Sequence, residues 1–299
     1  MKSPPHGNAN PEPTPIQPVN TVIDQRLKQI KLAHQWTITN NRAAKQWNKC
    51  FGIGCNKTGT TSLEQVIRYH LGYRSDQTTV EYNASVKAIL GDYKPFLKAM
   101  RVRDFHQDMP ISQGIVFAAI DGIFPNSKFI LTLREPHQWA LSFSKFYAPW
   151  IADLLINTPR EKRASYLFPG YIDQWLLKRY WKPELEILRQ DLAGNKEKKT
   201  RKEWIQDIPT STEFRSACAL KFQARNDLIQ DYFSSRPNDL LVIDLSKEKT
   251  ISKITRFLNL PDYLIAPIPH IRPGQHAPTK EELLSWSFQG VVGSFQEHN

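Results

Sequence analysis

Between Phe51 and Gln65 the chain reads FGIGCNKTGTTSLEQ, a stretch whose glycines could let the backbone cradle a phosphate. Gly54 and Gly59 have the G-x-x-x-x-G spacing of the loop that holds the phosphates of ATP and GTP. In that loop Lys and then Ser or Thr follow the second glycine, and the hydroxyl binds Mg²⁺. Here Thr60 and Thr61 occupy those places, and the lysine, Lys57, lies inside the loop. Backbone N–H groups converging at a helix amino end make an anion site largely independent of side-chain identity. The dipole contributes about 0.3–1 kcal/mol, and each charge-assisted hydrogen bond about 1.5–3 kcal/mol. Lys57 adds a point charge beside the phosphate, and nothing reproduces the metal-binding Lys-Ser step. These residues suit a donor with less phosphate charge than a triphosphate, bound without a metal.

Such a loop works only between a strand and a helix. Lys49 to Gly54 (KCFGIG) is a short apolar run ending in glycine, the pattern of a buried strand. After the loop, Leu63, Val66, Ile67 and Leu71 share one helical face, Thr61 and Glu64 have capping-box spacing, and Gly72 suits the helix end. Ile111 to Phe124 reads as a mostly buried helix, and Lys128 to Leu133 (KFILTL) as a second buried strand. Pro136 then opens a new helix containing Trp139, Ser142, Phe143 and Phe146. Ala148 to Phe233 reads as several helices, Asp239 to Leu245 as a third strand, and Thr250 to Pro261 as a helix stopped by proline. Alternating strands and helices predict an α/β fold of three layers, α/β/α, around a central, mainly parallel sheet. In such sheets ligands bind at the carboxyl ends of the strands, where the Gly54 loop and Arg134 should both lie.

The 299 residues suffice for a core without disulfide staples. Cys50, Cys55 and Cys218 show no metal or disulfide spacing, and Cys50 and Cys55, flanking a buried strand, read as packing thiols of a reducing compartment. Neither a membrane span nor a signal-peptide core stands out, so the expectation is a soluble, cytoplasmic protein. Forty basic against twenty-nine acidic residues give a net charge of +11, which suits an anionic ligand. Part of that excess lies in the Asn195–Glu203 run, which lacks the aromatics of a nucleic-acid stacking platform and reads as a solvated loop. Residues 1–20 hold six prolines and almost nothing apolar, the composition of a disordered tail. The remainder, 21–299, reads as a single domain with a helical insertion around 148–233.

Asn56 to Ser62 (NKTGTTS) resembles the 5′-phosphosulfate loop of sulfotransferases, enzymes that use 3′-phosphoadenosine 5′-phosphosulfate (PAPS). That loop reads K-[ST]-G-T-[TS] and binds without metal. The family's second block is a strand ending in arginine with a serine eight residues on, both touching the 3′-phosphate; Arg134 and Ser142 have that spacing. Leu240 to Ile271 is more distantly similar to the family's late strand, helix and tail. The resemblance implies a P-loop NTPase-like fold and PAPS contacts from Asn56, Lys57, Thr58, Gly59, Thr60, Thr61, Ser62, Arg134 and Ser142. It also implies a product, adenosine 3′,5′-bisphosphate (PAP), and no metal. Arg272 and Gln275, in the HIRPGQHAP tail, would close over the 3′-phosphate.

Sulfuryl transfer needs a base for the acceptor proton and positive charge on the transition state. Lys57 takes the second role. The family draws its base from the segment between the two blocks, here Val102 to Ser112 (VRDFHQDMPIS), which resembles a bacterial branch with D-x-P. Asp108 is the first choice and His106 the second, against the plainer readings of a helix N-cap and a polar loop residue. The acceptor would be a hydroxyl or amine of a small molecule, lipid or saccharide, with neither nucleic acid nor stable membrane insertion involved. Trp139, Trp150, Trp175 and Trp181 could line its site or simply pack the core. The rival reading is a Mg²⁺-dependent P-loop kinase or NTPase with Asp244 as metal ligand.

Overall fold

The computed structural model describes residues 39–75, 87–88, 91–108, 110–112, 114–156, 182–193 and 199–269, with 28, 32, 35 and 36 besides. The tail 1–20, Trp175, Trp181, Arg272, Gln275 and residues 195–198 lie outside the described residues, whereas Arg201–Glu203, expected in a solvated loop, open a helix that Thr200 caps.

Among the described residues four strands form one wholly parallel sheet: β1 (Cys50–Gly52), β2 (Phe105–Gln107), β3 (Lys128–Thr132) and β4 (Leu240–Ile243), in the order β2-β1-β3-β4. Sequence reasoning predicted three of these. The fourth, β2, pairs Phe51 with His106, so His106 stands in an edge strand and not in a loop. Three residues, two of them polar, are too short a run to declare a strand by periodicity.

Side-chain alternation splits the sheet into two apolar faces. Cys50, Phe105, Ile130 and Ile243 face helix α1 (Thr60–Gln65), the wider π-turn Val66–His70 that extends it, and a late helix, Ser252–Phe257. Phe51, Ile53, Phe129 and Leu131 face the other way, where they pack with Phe96, Phe117, Ile120, Ile229 and Phe233. Those partners come from α2 (Lys94–Met100), α3 (Val116–Ile123) and the C-terminal end of a long helix, Thr212–Tyr232, with Phe233 just beyond it. Helices therefore cover both faces, as the three-layer reading expects. Two boundaries differ from that reading. Residues 110–112, 114 and 115 are turns and α3 begins only at Val116, because Gly114 takes φ 44. Thr61 and Glu64 make no capping box: the N-cap is Gly59, with no side-chain cap, and the Glu64 carboxylate accepts from Ser75 Oγ and Gln107 Nε2.

Beyond β3, α4 (Pro136–Leu155), α5 (Lys182–Ala193), α6 (Arg201–Asp207) and α7 (Thr212–Tyr232) build a second core around Trp139, Tyr147, Leu188, Trp204 and Phe222. Glu135 caps α4 by accepting from the amides of His137 and Gln138, with Pro136 at the first helical position. Asp153 of α4 takes both arms of Arg201, and Glu184 of α5 accepts from Lys221 of α7. Among the described residues no helix is long and apolar enough to cross a membrane.

Candidate active site

The chain leaves β1 for β2 on one side of the sheet, and β3 then lies on the other side of β1. The carboxyl ends of β1 and β3 thus flank the point where the winding reverses, the usual place for a ligand crevice in such sheets. Two loops meet there. The first runs from Gly54 to Gly59, the second from Leu133 to Glu135.

Two glycines allow the first loop its path. A Cβ on Gly54 would fall 2.8 Å from the Thr132 carbonyl oxygen and 2.9 Å from its amide nitrogen, so the loop can lie on β3 only with hydrogen at this position. Gly59 takes φ 93, a left-handed conformation that opens α1 without a Cβ penalty. Thr58 pins the loop from inside, its hydroxyl donating to Cys55 O at 2.6 Å and lying 2.6 Å from the Thr132 hydroxyl. With no side chain capping α1, the amides of its first turn, Thr60 to Ser62, have no side-chain acceptor.

Lys57 sits at φ 72, and its ammonium lies 4.0 Å from the centre of the Phe146 ring on α4. A cation over an aromatic face is held by about 0.5–1 kcal/mol without being neutralised. Burial, and next the charge of Arg134, lower the Lys57 pKa from its ordinary value. Arg134 Nη1 donates to Lys57 O at 3.3 Å, which brings the two cations to one crevice. Neither is ion-paired with a carboxylate among the described residues. Ser142 lies on α4 at the expected spacing, half-buried.

Asn56 is the hub of the loop. Its carbonyl accepts from the Trp139 indole at 2.9 Å, its Nδ2 donates to Asp108 Oδ2 at 3.4 Å, and its side chain is hydrogen-bonded to the Tyr147 hydroxyl. Tyr147 is buried, and that burial, followed by the Asp108 charge, pushes its pKa well above the ordinary value. Asp108 itself takes φ 67 just past the end of β2 and caps no helix. The structure therefore brings Asp108 to the loop. It does not bring His106 there: the ring is buried on the opposite face of the sheet from α1, edge-on to Phe96 at 5.4 Å. Trp139 stacks on Phe222 in the core, whereas Trp150 packs beside Phe146. Sequence reasoning passed over Tyr147, although Trp139, Phe143 and Tyr147 recur every four residues along α4 and so share one face.

Asp244, the metal ligand of the rival reading, follows β4 and accepts from Ser246 N and Oγ, with Lys247 3.5 Å away. Among the described residues no cluster of three or more His, Cys, Asp or Glu is placed to hold a metal ion.

A parallel sheet with a glycine loop after β1 and an arginine after β3, both at the strands' carboxyl ends, defines an α/β protein with its crevice at the switch point. The family model for the sulfotransferase domain matches residues 49–275, well over half of the chain, and the chain belongs to that family. Its activity is therefore that of an enzyme transferring a sulfuryl group. No curated protein matches the chain significantly.

Proposed function

We propose that this enzyme moves the sulfuryl group of PAPS to a hydroxyl, or an amine, of a small-molecule, lipid or saccharide acceptor. The observation that carries the reading is the convergence of Lys57, Arg134 and the uncapped first turn of α1 on one crevice, with no carboxylate among the described residues neutralising either cation. That donor set fits the phosphosulfate group: backbone amides for the 5′-phosphate oxygens, Lys57 for the sulfuryl and bridging oxygens, and Arg134 with Ser142 for the 3′-phosphate. PAPS supplies an activated sulfuryl group on a good leaving phosphate.

The chain's own residues then have distinct tasks. Asp108 accepts the acceptor's proton, and Asn56 holds that carboxylate at the loop through its Nδ2. Lys57 offsets charge that grows on the oxygens in the transition state. Phe146, 37% exposed beside Lys57, stands where the acceptor approaches. The kinase alternative receives no support from Asp244, whose carboxylate is engaged by its own turn.

Calorimetry tests the donor site: PAP should bind in EDTA, and ATP should gain no tight binding from Mg²⁺. The reverse pattern would establish the kinase reading. Labelled PAPS offered with a metabolite extract would identify the acceptor. Replacing Asp108 by Asn should cut transfer by about 10²–10⁴ while PAP binding stays nearly unchanged, the signature of a lost base. Near-normal turnover in D108N would remove Asp108 from the mechanism.

A further inference from the structure

Arg225 projects from α7, is buried, and reaches beneath the entry of the donor loop. Its Nη1 donates to Ile53 O at 3.0 Å and approaches Cys55 Sγ at 3.7 Å. Its Nη2 donates to Ile111 O at 3.5 Å, and its Nε to Gly114 O at 3.3 Å. Among the described residues no carboxylate pairs with it. A buried cation without a counter-ion is costly unless hydrogen bonds compensate, and here they come entirely from main-chain carbonyls and one thiol. Those acceptors belong to two segments. Ile53 and Cys55 carry the chain from β1 into the donor loop, while Ile111 and Gly114 form the turn after Asp108. Ser112 N donates to Asp108 O at 2.9 Å, which ties the turn back to Asp108. Asp108 holds a left-handed φ of 67, an uncommon conformation that Asp tolerates better than most residues and that this turn keeps in place.

We propose that Arg225 is a positioning residue for sulfuryl transfer, bolting the entry of the donor loop to the Asp108 turn so that Asp108 and Lys57 keep a fixed separation. This rests on the donor-site reading above. The role needs a planar fork that serves both segments at once, whereas a lysine keeps the charge but donates from one nitrogen. A misplacement of about 1 Å costs transfer about 10²-fold, and the loop amides that hold the donor remain.

The test measures PAP affinity by calorimetry and PAP release from PAPS with a metabolite extract as acceptor pool. R225K should bind PAP within about threefold of the wild-type affinity and turn over about 10²-fold more slowly. R225A should be equally slow, and ethylguanidinium at millimolar concentration should restore at least about tenfold of its rate, where ethylammonium does not, because only the former is a planar fork. Should R225K fail to fold, the R225A rescue decides. Wild-type turnover in R225K, equal losses of affinity and turnover, or a rescue that is absent or common to both cations would overturn the proposal. Wild-type protein that binds no PAP would sink the donor-site reading as well. Normal PAP binding with normal transfer in R225K would sink this proposal alone.

Discussion

Replacing Lys57 by methionine is expected to lower PAPS-dependent transfer by about 10²–10³, the loss seen when one donor aimed at a developing oxyanion is removed. PAP affinity should fall by about tenfold or less, because PAP lacks the sulfuryl oxygens that Lys57 serves and keeps the amides of α1. The split arises from geometry. Lys57 lies inside the loop at φ 72, its ammonium resting on Phe146 and its carbonyl held by Arg134. The same surroundings set the pH dependence. Burial and the neighbouring Arg134 lower the Lys57 pKa, so its charge is lost at a lower pH than that of an ordinary lysine. Transfer should therefore fade on the alkaline side as Lys57 deprotonates, and K57R should carry the active range to higher pH. A pH–rate profile measured on both proteins checks this, and unchanged turnover in K57M would remove Lys57 from the chemistry.

Gly54→Ala is expected to have the largest effect on the fold around the site. The added methyl would collide with the Thr132 hydroxyl, and lie 2.8 Å from the Thr132 carbonyl oxygen and 2.9 Å from its amide nitrogen. Backbone of a central strand cannot move aside as a flexible side chain can. Overpacking of this kind costs about 1–3 kcal/mol, a fall in Tm of roughly 2–5 °C at this chain length. The collision falls where Thr58 meets Thr132 at 2.6 Å, so the loop should lift from β3 and PAP affinity should drop with stability. Thermal melting and PAP titration of the same variant measure both. A variant with wild-type Tm and affinity would show that the loop does not depend on this close approach.

These two predictions rest on residues whose meaning was legible in the sequence. Gly54, Lys57 and Gly59 lie within six consecutive residues, and the strand before them and helix after them announce themselves by burial pattern alone. Arg134 was legible for a similar reason: KFILTL is apolar apart from Lys128 and Thr132 because both faces of the strand are covered, so its end can be read off. β2 was not legible. It pairs with β1 over three residues, and only that pairing, between positions more than fifty residues apart, makes it a strand.

The same distance effect explains the choice between the two candidate bases. His106 and Asp108 both lie in one polar segment, two residues apart, and sequence ranks them only by resemblance. In the fold, His106 is committed to the strand and to a ring contact with Phe96, whereas Asp108 falls just beyond the strand's carboxyl end, beside Asn56. The Thr61–Glu64 spacing misled for the complementary reason. A capping box is a local preference, and Glu64 instead meets Ser75 and Gln107, partners supplied by the chain's return past α1.

By itself, the sequence determined a glycine loop carrying its own lysine, between a buried strand and a helix, with an arginine closing a second strand. Each of those features depends on neighbours along the chain, where spacing and polarity suffice. Tertiary structure alone decided that Asp108 reaches the loop, that Tyr147 and Trp139 hold Asn56 from α4, and that Arg225 arrives beneath the site from α7. Those assignments depend on parallel pairing and helix packing between distant segments, which no local pattern of residues encodes.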